Sequence, residues 1–388
     1  MLYPRKVTDA LEARRDRLTK SEESRLDDIK ALEQTLQTIA GLSLADITSH
    51  LSAVPHPGAQ PTAEHVLHKS IVIAFFHRWS NHRQARRWAL KMLQGTTTFA
   101  VDGSQIPPAR DISIPIAVIQ AGWFENPHQG SEAYVKDVAV EVLTPDELSG
   151  GRQAGLFPNW QVDWQRFKME VERLVIYMQT QANAERRPLC FFDGSLVVSF
   201  AQHMRPDHQR LYTDAVVRLL DMSEQTRVPV VGYIDYPYTD DLVTMLCHLS
   251  RLHLAGQVTD AGLLRSRMKW GDRTQVYICA RDDEIVDKYY DRVCFAYLKT
   301  TADNPPARLE FPRWMYEAGI HERVLDLVRA ECVVGTGYPY PLETADAVAV
   351  LTMEDRERFY RLLQEFAKQE GLPLRFSRKS ISKRGRRM

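Results

Sequence analysis

The chain has 388 residues, 44% of them hydrophobic and 26% charged, which describes a soluble globular protein with length for one large domain or two ordinary ones. Its 50 basic and 50 acidic residues cancel, so binding to a polyanion has to come from local patches and not from net charge. No apolar run is long enough to cross a bilayer, Met1-Leu-Tyr-Pro-Arg-Lys6 lacks the apolar core of a secretory signal, and five scattered cysteines without a CxxC pair point away from a disulfide framework or a zinc knuckle. A reducing cytoplasm fits these features.

In chain order, residues 8–52 carry Leu11, Leu18, Leu26, Ile29, Leu32, Leu36 and Ile39 at helical spacing among charges, the pattern of a helical hairpin or a short coiled-coil arm. Pro55, Pro57, Gly58 and Pro61 break it, and a second helical block is expected over 63–94, ending in Arg83, Arg86, Arg87 and Lys91. The period then changes. Phe99–Val101 reads as a buried strand, and Ile112–Phe124 and Ala133–Leu143 as two longer ones in an antiparallel meander. A Gly- and Pro-containing loop follows around 150–158. Residues 162–182 predict a helix with Phe167, Val171, Leu174, Val175 and Met178 on one face.

Leu189–Phe192 is the next strand, 208–225 a helix, Val228–Ile234 a strand and 239–254 a helix. Short strands are expected at Val276–Ala280, Cys294–Leu298 and Arg308–Phe311, with helices over 283–291, 316–330, 343–350 and 353–369. The end of the chain, from Leu372, holds seven basic residues and no acid, and reads as a basic disordered tail able to attract phosphate without reading sequence, or simply as a solubilising end. The predicted fold class is α/β. An N-terminal helical region (1–95) precedes a mixed-sheet domain (96–370) and the tail (371–388).

Two stretches echo each other: Phe99-Ala-Val-Asp-Gly-Ser104 and Cys190-Phe-Phe-Asp-Gly-Ser-Leu196. Asp-Gly alone is a common turn dipeptide. An acid closing a buried strand, however, needs a hydrogen-bonding turn, a basic partner or a cation, and the repeat favours a shared cation. Three antiparallel strands, a helix, and a fourth strand bearing the second acid make the layout of an RNase H-like fold, in which the acids of strands one and four sit side by side. Clustered carboxylates repel unless a divalent ion lies among them, and oxygen-only donors favour manganese or magnesium over zinc. Asp102 and Asp193 are the first candidate ligands. A third is expected from the preceding helix, where Glu170 lies nearer the apolar stripe than Glu172 does.

These residues resemble the NurA nucleases, which act in DNA end processing. The resemblance rests on Ala100-Val-Asp-Gly-Ser104 and Phe192-Asp-Gly-Ser-Leu196. It is supported by Val228-Pro-Val-Val-Gly-Tyr-Ile-Asp235, Trp270-Gly-Asp-Arg-Thr274, Ala307-Arg-Leu-Glu-Phe-Pro312 and Gly337-Tyr-Pro-Tyr-Pro-Leu342, in that order along the chain. It implies an RNase H-like core, a homodimer, manganese-dependent 5′-to-3′ exonuclease and single-strand endonuclease activity on DNA, and partnership with a hexameric HerA-type DNA-translocating ATPase in resection of double-strand breaks. By the same resemblance the motif acids fall on Asp102 and Asp193, the helix glutamate on Glu170 or Glu172, and the tyrosine of the late Tyr-Pro motif on Tyr338. The family's histidine at the start of the next helix is replaced by Asp346. Asp346 can offer oxygen to a cation but not a neutral nitrogen, which leaves two readings: an active metal-dependent nuclease, or a weak or inactive relative that binds DNA or the ATPase.

Four further positions have a bland reading beside a functional one. Asp235 closes a strand but also opens a turn, Arg308 and Glu310 form a structural pair as readily as they touch DNA, and Arg273 stabilises a turn as readily as it holds phosphate. None of the twelve histidines sits in an HExxH spacing, and no GxxxxGK[ST] occurs, so any ATP-driven motor has to be a separate protein.

Overall fold

The computed structural model describes residues 2–109, 112–130, 133–149, 159–281 and 289–375. Helices α1 (Pro4–Glu12), α2 (Arg15–Ile39) and α3 (Leu44–Ser52) precede strand β1 (Gly58–Pro61), α4 (Glu64–His68), β2 (Val72–Ile73) and α5 (His82–Leu93). Three strands follow, β3 (Thr98–Ile106), β4 (Ala117–Asn126) and β5 (Val135–Leu143), then α6 (Pro145–Ser149), α7 (Asn159–Thr180), β6 (Leu189–Asp193), α8 (Pro206–Thr226), β7 (Val230–Ile234), α9 (Asp241–Ser250) and α10 (Asp260–Leu264). The remainder comprises β8 (Arg273–Thr274), β9 (Tyr277–Ala280), β10 (Val293–Leu298), β11 (Ala307–Pro312), α11 (Arg313–Glu317), α12 (His321–Val334), α13 (Tyr340–Ala349) and α14 (Met353–Gln369). Among the described residues no helix is long and apolar enough to cross a membrane.

The chain forms two units that interleave along the sequence: Met1–Arg87 with Gly194–Gln202 and Gly232–Gly337, and Trp88–Asp193 with His203–Val231 and Tyr338–Met388. In the second unit β4 is antiparallel to both β3 and β5, while β6 runs parallel to β3 with Thr98 opposite Leu189 and Val101 opposite Phe192. This is the RNase H-like mixed sheet expected from the sequence: a meander, a crossover through α7, and a fourth strand beside the first. The core follows the apolar stripe of α7. Phe99 stacks on Tyr177 with ring centroids 3.7 Å apart, and Phe167 meets Phe192 and Tyr212 edge-on at 5.8 and 4.9 Å.

In the first unit β9, β10 and β11 form an antiparallel series, with β1 on the outer side of β9 and Gly232–Ile234 of β7 on β11. Every residue of β10 and β11 is buried. Helix α2 contributes Leu32, Leu36 and Ile39 to the interior, while Leu11, Leu18 and Leu26 stay exposed.

Several expectations change. The helical block over 63–94 is instead α4, a strand and α5, because the β-branched Ile71-Val72-Ile73 run pairs with Arg273 and Thr274. The expected helix 316–330 breaks into α11 and α12 at Gly319, whose φ of 69° only glycine adopts without strain. The expected loop 150–158, most of the helix 283–291 and most of the basic tail lie outside the described residues.

Candidate metal centre

Strand β3 does not stop at its acid as the sequence suggested. It continues to Ile106, and Asp102 sits in mid-strand opposite Gly122 of β4. Asp193, in contrast, ends β6 and is exposed. Because the parallel register pairs Val101 with Phe192, the next residue on each strand is an acid, and Asp102 and Asp193 come out as neighbours.

Strand alternation sends successive side chains to opposite faces. On the face shared by Asp102 and Ser104 lies the end of α13: the Ser104 hydroxyl accepts the Leu351 N–H at 3.1 Å, and the Gln120 amide donates to the Ala349 carbonyl at 2.9 Å. Gly122 permits this approach, since a Cβ there would stand 2.6 Å from the Ala349 nitrogen. Helix α13 starts on Pro339-Tyr340-Pro341, prolines that suit a first helical turn because it needs no N–H there. The carboxyl of its Asp346 acts on that of Asp102 and raises its pKa. Just before the helix, the Tyr338 hydroxyl donates to Asp193 Oδ1 at 3.0 Å.

On the opposite face Gly103 meets α7. Any side chain at Gly103 would overlap the Glu170 carboxylate and the Arg166 stem, so glycine is what lets the glutamate reach the strand. Glu170 is 6% exposed and is paired with Arg166, one turn earlier on α7, which also donates to the Gly103 carbonyl at 3.5 Å. Glu172 points elsewhere: it is half-buried between Lys168 at 3.8 Å and Arg218 of α8 at 3.7 Å. Of the two glutamates left open by the sequence, Glu170 is the one that feels the charges of Asp102 and Asp193.

The electrostatics of the group are strained. Burial pushes the Asp102 carboxyl up to about 6, the Gly103 N–H opposes this, and the charges of Asp193 and Asp346 add to it. Burial also pushes Glu170 up to about 7; Arg166 pulls against it and is outweighed, with Asp102 and Asp193 adding to the rise. Asp102 and Glu170, driven toward neutrality by burial and by neighbouring carboxylate charge, are groups that a hard divalent cation would relieve.

This arrangement predicts a pH dependence of stability. A folded-state pKa raised above the ordinary carboxylate value means that the native protein holds protons the unfolded chain has released, so stability falls as pH rises through about 6 to 7 and is fully kept below about 4. The melting temperature in a chelator is expected to drop between pH 5 and pH 8, and added divalent ion to restore it more at pH 8 than at pH 5. The buried Asp260, also pushed up to about 7 by burial, contributes in the same direction, so the decisive readout is a shallower slope in Asp102→Asn and Glu170→Gln than in wild type.

Sequence reasoning missed Arg166, whose spacing from Glu170 is the i, i+4 ion-pair spacing and was the available signal. It also missed Gly103 and Gly122 as close-approach positions. In the other unit Asp235 is half-buried and accepts from the Tyr233 hydroxyl at 3.3 Å, and Arg308 pairs with Glu310 at 2.7 Å in full burial. Arg273 clamps Glu64 through two bonds of 2.9 and 2.7 Å and also pairs with Glu322. Glu64, His321 and Glu322 are close enough together to hold a cation, but the Arg273 guanidinium already supplies that charge. Despite burial, bonds from His321 and Arg273 hold Glu64 at about 2, so this trio is a satisfied ion network.

The NurA domain family model matches residues 96–351. Similar solved structures include a NurA at 11% identity, covering 70% of this chain and 89% of that one with a TM-score of 0.38. The catalytic domain of human endonuclease V is 14% identical, over 78% of this chain and 93% of that one, with a TM-score of 0.33. Aquifex aeolicus Argonaute is 10% identical, over 66% and 28%, with a TM-score of 0.28. No curated protein matches the chain in sequence.

Proposed function

The chain belongs to the NurA family, and from that premise we propose that it is a divalent-metal-dependent deoxyribonuclease, with 5′-to-3′ exonuclease and single-strand endonuclease activity, working as a cytoplasmic homodimer with a HerA-type ATPase on double-strand break ends. The observation that supports it best is the electrostatic coupling of Asp102 with Asp193 and Asp346 and of Glu170 with Asp102 and Asp193, which with burial pushes Asp102 up to about 6 and Glu170 up to about 7. The donor set is all oxygen, which suits manganese or magnesium, and these four residues would hold the ion. A bound divalent ion supplies Lewis acidity toward a phosphodiester oxygen.

The chain's own groups prepare that site. Tyr338 fixes one oxygen of Asp193 by its hydrogen bond, and Gly103 admits Glu170 to the strand. Arg166 keeps Glu170 from rising further toward neutrality, so that near neutral pH a large share of it is ionised. Asp346, standing where the family has a histidine, offers oxygen beside Asp102 instead of a nitrogen. A phosphodiester backbone entering here meets carboxylates that a cation must first neutralise, so activity is tied to metal.

The test is cleavage of end-labelled single- and double-stranded DNA by the wild-type chain, with manganese, with magnesium and with chelator. Cleavage with metal that chelator abolishes is the expected result. Inertness under every metal condition, with DNA or the ATPase still bound, would replace this reading with that of a non-catalytic relative.

A further inference from the structure

Within the first unit, away from the carboxylate cluster in sequence, a cavity of about 550 Å³ opens between α2, α10 and the loops following β7 and β10. That volume accommodates a nucleotide-sized group. Its wall includes Tyr236, Tyr238, Arg25, Arg265, Lys299 and Asp303. We propose that this cavity is a binding subsite for single-stranded DNA, with Tyr236 and Tyr238 stacking on bases and Arg265 and Lys299 attracting the phosphate.

The aromatic part rests on Tyr236-Pro237-Tyr238. Pro237 is buried, while the tyrosines on either side of it are 58% and 87% exposed. Proline locks its own φ and confines the preceding residue to extended backbone, so the two rings are carried on a stiff segment and lose little freedom on binding. A lone exposed tyrosine needs no explanation. Two, splayed from a buried proline onto the wall of a cationic cavity, combine the stacking face and the positive charge that sequence-tolerant single-strand sites use.

The cationic part outweighs its one nearby acid, Asp303. Lys299 is 2% exposed, and its ammonium donates to the carbonyls of Asn304 at 2.5 Å and Arg265 at 3.4 Å, both uncharged acceptors. Burial and the neighbouring Arg265 charge lower its pKa, while Asp303 only partly offsets them. Arg265 itself is exposed and makes no ion pair among the described residues. Arg25, in contrast, is held by Glu22 through bonds of 2.8 and 2.5 Å and contributes mainly a wall. Two like charges that the single carboxylate of Asp303 only partly offsets favour an incoming phosphate.

The inference rests on the proposed action on DNA, and the experiment separates the two. Binding of a fluorescein-labelled oligothymidylate of roughly 20 nucleotides, long enough to reach beyond one site, is followed by anisotropy in chelator over a salt series. Tyr236→Ala with Tyr238→Ala is expected to weaken binding by roughly tenfold or more, leaving the salt slope unchanged. Arg265→Ala is expected to reduce the log–log salt slope by about 0.7. Melting curves unchanged from wild type certify the fold, as these residues are exposed. Wild-type affinity and slope in both variants would overturn the subsite, and so would an equal loss on blunt duplex, which has no free bases to stack. Binding that wild type has and the variants lose supports it whether or not the DNA is cut, so a chain that binds without ever cleaving defeats the nuclease reading alone.

Discussion

Glu170→Gln is expected to lower metal-dependent cleavage by about two to three orders of magnitude, the range for losing one preorganised charge at a reacting phosphate, whereas Glu172→Gln is expected to stay within about twofold of wild type. The two residues share a helix and a chemistry, so the contrast isolates position. Glu170 is buried over Gly103 and feels the charges of Asp102 and Asp193. Glu172 spends its charge on Lys168 and Arg218 at the half-exposed surface between α7 and α8, where an ion pair contributes at most about 1 kcal/mol. Glutamine keeps the shape of the side chain and an oxygen for Arg166, so the loss reports the charge and not a cavity. A manganese titration of each variant checks the cause. If Glu170 is a ligand, the half-saturating concentration rises together with the loss of rate. Equal activity of both variants would remove Glu170 from the site.

The acids were legible in the sequence because each stands at a change of pattern, an apolar run giving way to Asp-Gly-Ser. The rotation of α7 was legible too, since Phe167, Val171, Leu174 and Met178 mark its inward face and place Glu170 at the margin of that face. The extent of β3 was not. Gly103 and Ser104 read as a turn, but β4 supplies ladder partners as far as Ile106, and long-range pairing overrides local turn preference. Strands β1 and β2 were hidden for the same reason: Gly58 pairs with Ala280 and Val72 with Thr274, partners some two hundred positions away that no local period records. What leaves least trace in a sequence is convergence of charge. Asp241, Arg281, Arg308 and Glu310 come from a helix, a strand end and one short strand, and only the fold brings them together.

That convergence carries the largest expected effect on stability. Arg308 is fully buried, stacks on Phe295 with its guanidinium 3.8 Å from the ring centre, and bonds Asp241 at 2.6 Å and Glu310 at 2.7 Å. Arg281 grips the same Asp241 through bonds of 2.6 and 2.7 Å. Although burial raises it, these two arginines hold the Asp241 carboxyl below the ordinary range. Two cations and two anions cancel. Asp241→Asn leaves the group with one excess buried positive charge, and Arg308→Met with one excess negative charge, so each is expected to destabilise the protein by about 3–5 kcal/mol in urea unfolding. The double variant is neutral again and is expected to lose clearly less than the sum of the two, a coupling of more than about 1 kcal/mol for residues in direct contact. Additive losses would mean that the cost comes from lost packing around Phe295 and not from unpaired charge. Glu310 gives the network reach beyond the ion pairs, for its second oxygen accepts the N–H groups of Leu196 and Val197 at 2.7 and 3.2 Å and the Ser195 hydroxyl at 2.8 Å. In Arg308→Met that carboxylate keeps its backbone donors but loses the Arg308 cation, and protection of the Leu196 and Val197 amides from hydrogen exchange is expected to fall with it.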